Sequence, residues 1–238
     1  MIEFIRETGS TNADLAGRLR SGEAVREGHW LVADRQIAGR GRQGREWLGG
    51  AGNFMGSTLI RREHGDPPAP SLALLAGIAL VETVSPMLAA QHRVQLKWPN
   101  DLMIVRAKLA GILLEAHGDV VIVGIGVNLA SAPEVDGRET IALSSFGPAP
   151  DRDSFAAALA AQFCTEVDRW RTYGLGPIIA RWLAAGHPPG TLLSIGGSDG
   201  DQLTGTFTGL SDDGALQLSL PGGTTRTIHA GEVQFAAS

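Results

Sequence analysis

Three arginines stand on a backbone of glycines in Gly39-Arg40-Gly41-Arg42-Gln43-Gly44-Arg45. Downstream, Lys97-Trp98-Pro99-Asn100-Asp101 is followed by Lys108-Leu109-Ala110-Gly111. A guanidinium presents a planar fork of donors that matches phosphate or carboxylate. Glycines allow positive φ and close approach of the backbone. Cations gathered at two places suit a site where two anions must be brought together. Taken alone, the arginine-glycine stretch fits a small-molecule anion site, a solvated loop of charges or a contact with RNA.

Pro99 holds Trp98 extended and ends the ladder of the preceding strand. Asn100 and Asp101 then stand at a strand end, where polar residues often face a ligand. A turn without function is the alternative. Lys108 opens the apolar run Leu109-Ala110-Gly111-Ile112-Leu113-Leu114, which ends at Glu115. Such a lysine is usually a surface charge, but a hairpin-sized gap separates this one from Asp101. Gly124-Ile125-Gly126-Val127-Asn128 resembles half of a dinucleotide fingerprint. It lacks the third glycine and a clear following helix, so a Rossmann site is rejected. Its glycines instead let the strand's backbone approach a ligand.

Ser10-Thr11-Asn12 supplies N-cap residues, with Asp14 in the place of a capping-box acid. Hydroxyls and amides at a helix start can also face a pocket. The six histidines show no metal-ligand spacing. A Walker-type phosphate loop is absent.

These residues need elements to hold them. The 238 residues suffice for one sizeable domain and a small one. A helix is expected from Asn12 to Arg20, and strands at Trp30–Ala33, Asn53–Ile60, Val94–Trp98, Ala110–Ala116 and Val120–Asn128. The apolar stretch from Leu72 to Ala90 contains Glu82 and Pro86 and reads as a buried helix, not a membrane span. Helices rich in Ala and Leu are expected at Ser154–Trp170 and Pro177–Ala185. Periodicity changes at His187-Pro188-Pro189-Gly190. Beyond it, Leu192–Ile195, Gly205–Gly209 and Ala215–Leu220 alternate at period two, with a hairpin turn at Asp212-Asp213-Gly214. This divides the chain into residues 1–187 and a small β domain, a barrel or sandwich, at 188–238.

The formal net charge of −5 argues against nucleic acid as the main partner. A single cysteine, Cys164, excludes an internal disulfide and fits a cytoplasmic location. The N-terminus has no apolar signal core.

Taken together and in order, the motifs resemble the biotin–protein ligases. The resemblance rests on Gly9-Ser10-Thr11-Asn12, the stretch from Gln36 to Arg45 with Trp47, Lys97 to Asp101, Lys108 to Glu115 and Gly124 to Asn128. It implies an α+β catalytic domain of the class II aminoacyl-tRNA synthetase and biotin ligase type, a mixed sheet packed with helices. The tail would be an SH3-like β-barrel. It also implies two steps: biotin's carboxylate attacks the α-phosphate of ATP, giving biotinyl-5′-AMP and pyrophosphate, and a lysine of a biotin carboxyl carrier protein then attacks the anhydride. Two like unit charges at ~4 Å repel by roughly 4 kcal/mol at an effective dielectric near 20, which the cations must offset.

By the same resemblance, Lys108 bridges carboxylate and α-phosphate, with Arg40 and Arg42 alongside. Ser10, Thr11 and Gln36 bond biotin's ureido end, with Asn12 and Gly41 beside them. Gly111 and Ile112 wall the ring and tail, and Trp47 covers the pocket. Lys97, Trp98, Asn100 and Asn128 serve ATP. Asp101 holds Mg²⁺ or orients the incoming lysine. The arginine loop is expected to be open until anions arrive. Some members carry an N-terminal winged-helix domain; here the Ser-Thr-Asn motif begins at residue 10. A ligase without DNA or membrane partners is expected, and monomer and homodimer both stay open. The competing readings are a lipoate- or octanoyl-transferring enzyme, an RNA-binding protein and a biotin carrier module.

Overall fold

In the computed structural model, which describes residues 1–196 and 202–236, seven strands form one sheet. They are β1 (Ile2–Thr8), β2 (Trp30–Gln36), β3 (Phe54–Arg61), β4 (Val94–Lys97), β5 (Asp101–Ile104), β6 (Ala107–His117) and β7 (Val120–Val127). Their spatial order is β1-β2-β3-β7-β6-β5-β4. β1 and β2 are parallel, and every other pair is antiparallel.

Side chains alternate across a strand, so a central strand needs apolar residues on both faces. Val121, Val123, Ile125 and Val127 of β7 join the main core. Helices α2 (Leu72–Val84), α3 (Arg152–Tyr173) and α4 (Gly176–Ala185) pack there. Val120 and Ile122 face the other way, against Leu15 and Ala16 of α1 (Thr11–Arg20). Farther along that second face come Gly124 and Gly126. The strand that buries α1 at one end therefore opens a bare floor at the other.

Helix α2 is buried at every residue from Leu72 to Leu80, as expected of a helix apolar all round. Residues Ala69–Met87 are long and apolar enough to span a membrane, but α2 lies in the core, against α3 and α4. Helix α3 is capped by Asp151, whose side chain accepts the Ser154 N–H at 2.8 Å, and stops at Gly174 with φ 71°. The start of α1 differs from expectation. Thr11 is committed to Gln36 and Ser57, and Asp14 accepts a bond from Thr8 Oγ1 at 2.5 Å, so no capping box forms.

The tail holds β8 (Leu192–Gly196), β9 (Gln202–Leu210), β10 (Leu216–Ser219), β11 (Thr225–Ile228) and β12 (Glu232–Phe235). They form an antiparallel sheet in the order β11-β10-β9-β8-β12. The expected hairpin turn is present, with Gly214 at φ 84°. The closed barrel is not: β11 and β12 stay unpaired with each other among the described residues. The sheet has no need to close on itself. Its apolar residues Leu193, Ile195, Phe207, Leu216, Leu218 and Val233 join the main core instead.

Candidate active site

A cavity of about 500 Å³ lies over the glycine floor. Its wall includes Ser10, Thr11, Asn12, Gln36, Arg40, Gly41, Arg42, Trp47, Lys97, Trp98, Asn100, Asp101, Lys108, Gly111 and Asn128. Every residue singled out as a site candidate is thus brought to one place.

One end is neutral and polar. Thr11 donates from both its backbone N–H (2.7 Å) and its hydroxyl (3.0 Å) to Gln36 Oε1. Its hydroxyl also lies 2.6 Å from Ser57 Oγ, which donates to Asn12 Oδ1 at 2.6 Å. Asn12 Nδ2 donates to Glu115 Oε2, again at 2.6 Å. The middle is an aromatic surface. A Cβ on Gly126 would fall 2.2 Å from the Trp47 ring, and one on Gly111 would fall 3.1 Å away. A Cβ on Gly124 would meet Asn12 Oδ1 at 2.3 Å. Both strand glycines of β7 line the cavity. They admit two of the chain's own side chains.

The other end is charged. Asp101 pairs across the ladder with Gly111, but the register slips before Met103, which faces Lys108. Position 108 has the opposite parity to 111, so a regular strand would send Lys108 to the far face. The bulge returns it to the cavity, a re-aiming that bulges perform. Lys108 Nζ stands 2.6 Å from Asp101 Oδ1 and 5.7 Å from the centre of a Trp47 ring. Lys97 joins them from the end of β4. Burial lowers its pKa, and the Asp101 carboxylate partly offsets that.

The arginine stretch closes over this end. It is a small hairpin, with Gly41 N–H donating to Arg45 O (2.7 Å) and Trp47 N–H to Gly39 O (2.9 Å). Arg42 donates to Asn100 Oδ1 (3.3 Å) and to Gly231 O (3.2 Å). Arg45 pairs with Glu232 at 2.5 Å, and Arg138 reaches the same Glu232 oxygen at 2.6 Å. Burial would raise the Glu232 pKa, but the bond to Arg45, with the charges of Arg45, Arg138 and Lys97, holds it below the usual range. Arg40 stays exposed at the rim.

Three candidates make structural bonds as well. Asn100 Nδ2 donates to Ile112 O at 2.8 Å. Trp98 is 4 % exposed, and its indole N–H donates to Gly214 O (3.2 Å), tying the β4–β5 turn to the second sheet. Asn128 Nδ2 donates to Ile141 O at 3.2 Å, and its Oδ1 is buried without a partner among the described residues.

Sequence reasoning gave no role to Ser57, Glu115, Arg138 or Glu232. Ser57 had a local signal, a hydroxyl inside the apolar strand Phe54–Arg61. Glu232 had none, since its partner Arg45 lies 187 positions away.

A site with a neutral polar end, an aromatic middle and an end holding Lys97, Lys108, Arg42 and Arg138 against two carboxylates suits a long acid joined to a second anion. Comparisons with known proteins agree. Residues 4–129 match the biotin/lipoate A/B protein ligase family, and residues 195–236 match the biotin protein ligase C-terminal domain. A biotin–[acetyl-CoA-carboxylase] ligase of Paracoccus denitrificans is 37 % identical over 98 % of this chain and 99 % of its own. One of Mycobacterium tuberculosis is 35 % identical over 98 % and 88 %. A biotin protein ligase from Aquifex aeolicus, solved in complex with biotin and ATP, superposes with a TM-score of 0.85 at 26 % identity, over 100 % of this chain and 99 % of that one. By this match over more than half its length, and by its likeness to relatives of nearly its own size, the chain belongs to the biotin/lipoate A/B protein ligase family.

Proposed function

We infer that this chain is an ATP-dependent biotin–protein ligase. It joins biotin's carboxylate to the α-phosphate of ATP, breaks the α–β bridge and releases pyrophosphate. It then passes the biotinyl group to a lysine amine of a biotin carboxyl carrier protein, with AMP leaving. The observation that carries this reading is the bulge that turns Lys108 into the cavity beside Asp101, against the face of Trp47.

The ureido ring sits among Ser10, Thr11, Asn12, Gln36 and Gly41. The apolar tail crosses Gly111 and the Trp47 face. Biotin's carboxylate then reaches Lys108 and Arg42, with Arg40 at the rim. ATP takes the side of Lys97, Trp98, Asn100 and Asn128. Fixed cations offset the repulsion between carboxylate and phosphate before attack, and they need no reorganisation during it. Holding the two groups in line supplies a further part of the acceleration.

Asp101 holds Lys108 in place before substrates arrive, and it is the nearest carboxylate to orient the carrier's amine. It also suits Mg²⁺, which takes one or two carboxylates together with substrate phosphates. No cluster of three metal-ligating side chains is found among the described residues, so an ion carried by the triphosphate fits this donor set. Mg²⁺ would neutralise phosphate charge. The domain division, residues 1–187 and 188–238, is supported by the start of the second sheet at Leu192.

The experiment follows pyrophosphate release from ATP with biotin or lipoate as the acid. Release with biotin alone is expected. Release with lipoate alone would assign the chain to the lipoate branch of the family.

A further inference from the structure

Glu115 is absent from the cavity wall, yet it governs what the wall presents. On β7, Gly124 lies between Ser57 of β3 and Leu113 of β6 in the sheet register. Glu115 is on the same face one step along, opposite Ile122. Asn12 descends from α1 onto the bare Cα of Gly124, reaching Ser57 on one side and Glu115 on the other. A carboxylate only accepts hydrogen bonds, so the amide nitrogen of Asn12 must face Glu115. Its oxygen must then face Ser57.

A count of protons follows. Gln36 Oε1, Thr11 Oγ1, Ser57 Oγ and Asn12 Oδ1 form a string with three oxygen–oxygen contacts of 3.0, 2.6 and 2.6 Å. Each contact needs a proton between its oxygens. Only two are available, one from each hydroxyl. Thr11, Ser57 and Asn12 are 3 %, 0 % and 4 % exposed, so water has little access. Gln36 Oε1 also accepts the Thr11 backbone N–H at 2.7 Å, but one of the three oxygen–oxygen contacts still lacks a proton, and turning the Asn12 amide would cure that by aiming N–H at Ser57. Glu115 prevents the turn.

We propose that Glu115 is a positioning residue for substrate specificity: by locking the Asn12 amide it keeps this end of the cavity short of one proton and so selective for a ligand that donates N–H, as a cyclic urea does. The proposal rests on the reading of biotin as substrate. It assigns the recognition of a ureido N–H to a residue that does not touch the ligand.

The test compares Glu115→Leu and Glu115→Gln with the unaltered chain in biotin-dependent pyrophosphate release. Leu removes the acceptor and frees the Asn12 amide; Gln retains an acceptor oxygen. For Glu115→Leu, loss of about one well-placed hydrogen bond should raise KM for biotin about tenfold. KM for ATP and kcat should stay within about twofold, and Glu115→Gln should stay within about threefold in all three constants. A second readout uses the cyclic carbamate analogue of biotin, in which oxygen replaces one ureido N–H. The unaltered chain should prefer biotin strongly, and Glu115→Leu should lose most of that preference. Gly124→Ala, whose Cβ displaces the same amide, should repeat the rise in KM and serves if the Leu variant fails to fold. An active unaltered chain with unchanged KM and preference in these variants would overturn the proposal alone. An unaltered chain that makes no adenylate from biotin would overturn the functional reading beneath it.

Discussion

Lys108 Nζ stands 2.6 Å from Asp101 Oδ1, with both side chains 13 % exposed. The two sit on neighbouring strands, and a one-residue slip brings them to the same face. The contact is an ion pair within hydrogen-bonding distance, and the ammonium has three N–H donors. Asp101 therefore holds the ammonium without saturating it, and an incoming anion can share it. Replacing Asp101 with Ala should slow adenylate formation and carrier transfer by at least about tenfold each, measured separately by quenched flow. Loss of neither step would remove Asp101 from the mechanism.

Trp47 depends on a missing side chain. A Cβ at Gly126 would lie 2.2 Å from its ring, in a strand paired on both sides, so the indole must move. Gly126→Ala should raise KM for biotin by about tenfold or more, as the apolar tail loses its face. Its far-ultraviolet circular dichroism should match that of the unaltered chain.

The arginine hairpin is latched by the second sheet through Glu232. The three side chains involved are 30–39 % exposed, so each ion pair is worth about 1 kcal/mol or less. Glu232→Gln should then leave Tm nearly unchanged. It should speed tryptic cleavage at Arg42 and Arg45 in the ligand-free protein, and biotin with ATP should restore protection. Cleavage at the original rate would show that Glu232 is no latch.

His187 makes folding sensitive to acid. It is 1 % exposed, neither ring nitrogen has a partner among the described residues, and its ring packs against Trp182, Phe207 and Phe235. Burial, with the charge of Lys97, pushes its pKa from 6.5 down to about 4. The folded state thus resists a proton that the unfolded chain accepts. Stability should be unaffected above about pH 6.5, fall by roughly 3 kcal/mol as pH drops to about 4, then level off for this group. Urea melts of His187→Leu should lack that part of the fall; an identical pH profile would contradict it.

The local part of the site was legible because its chemistry is written in short runs. Gly39 to Arg45, Lys97 to Asp101 and Lys108 to Gly111 each mark a turn or strand mouth, and the cavity collects them all. Four strands were missed, β1, β5, β11 and β12, and two of these lack a full apolar face. β1 carries charges at Glu3, Arg6 and Glu7 because it is a sheet edge, and β11 is exposed at Thr225, Arg226 and Thr227. The contacts of Gly126 with Trp47 and of Gly124 with Asn12 were not legible, because nothing in the sequence pairs those positions. The open second sheet was hidden for a similar reason, since periodicity reports an apolar face but not what covers it.

The most direct measurement is mass spectrometry of the protein incubated with biotin, ATP and Mg²⁺. The unaltered chain should accumulate biotinyl-5′-AMP. Lys108→Ala should lose most of it, by about a hundredfold or more in rate, because the cation shared by carboxylate and phosphate is gone. Equal adenylate from both proteins would contradict the account.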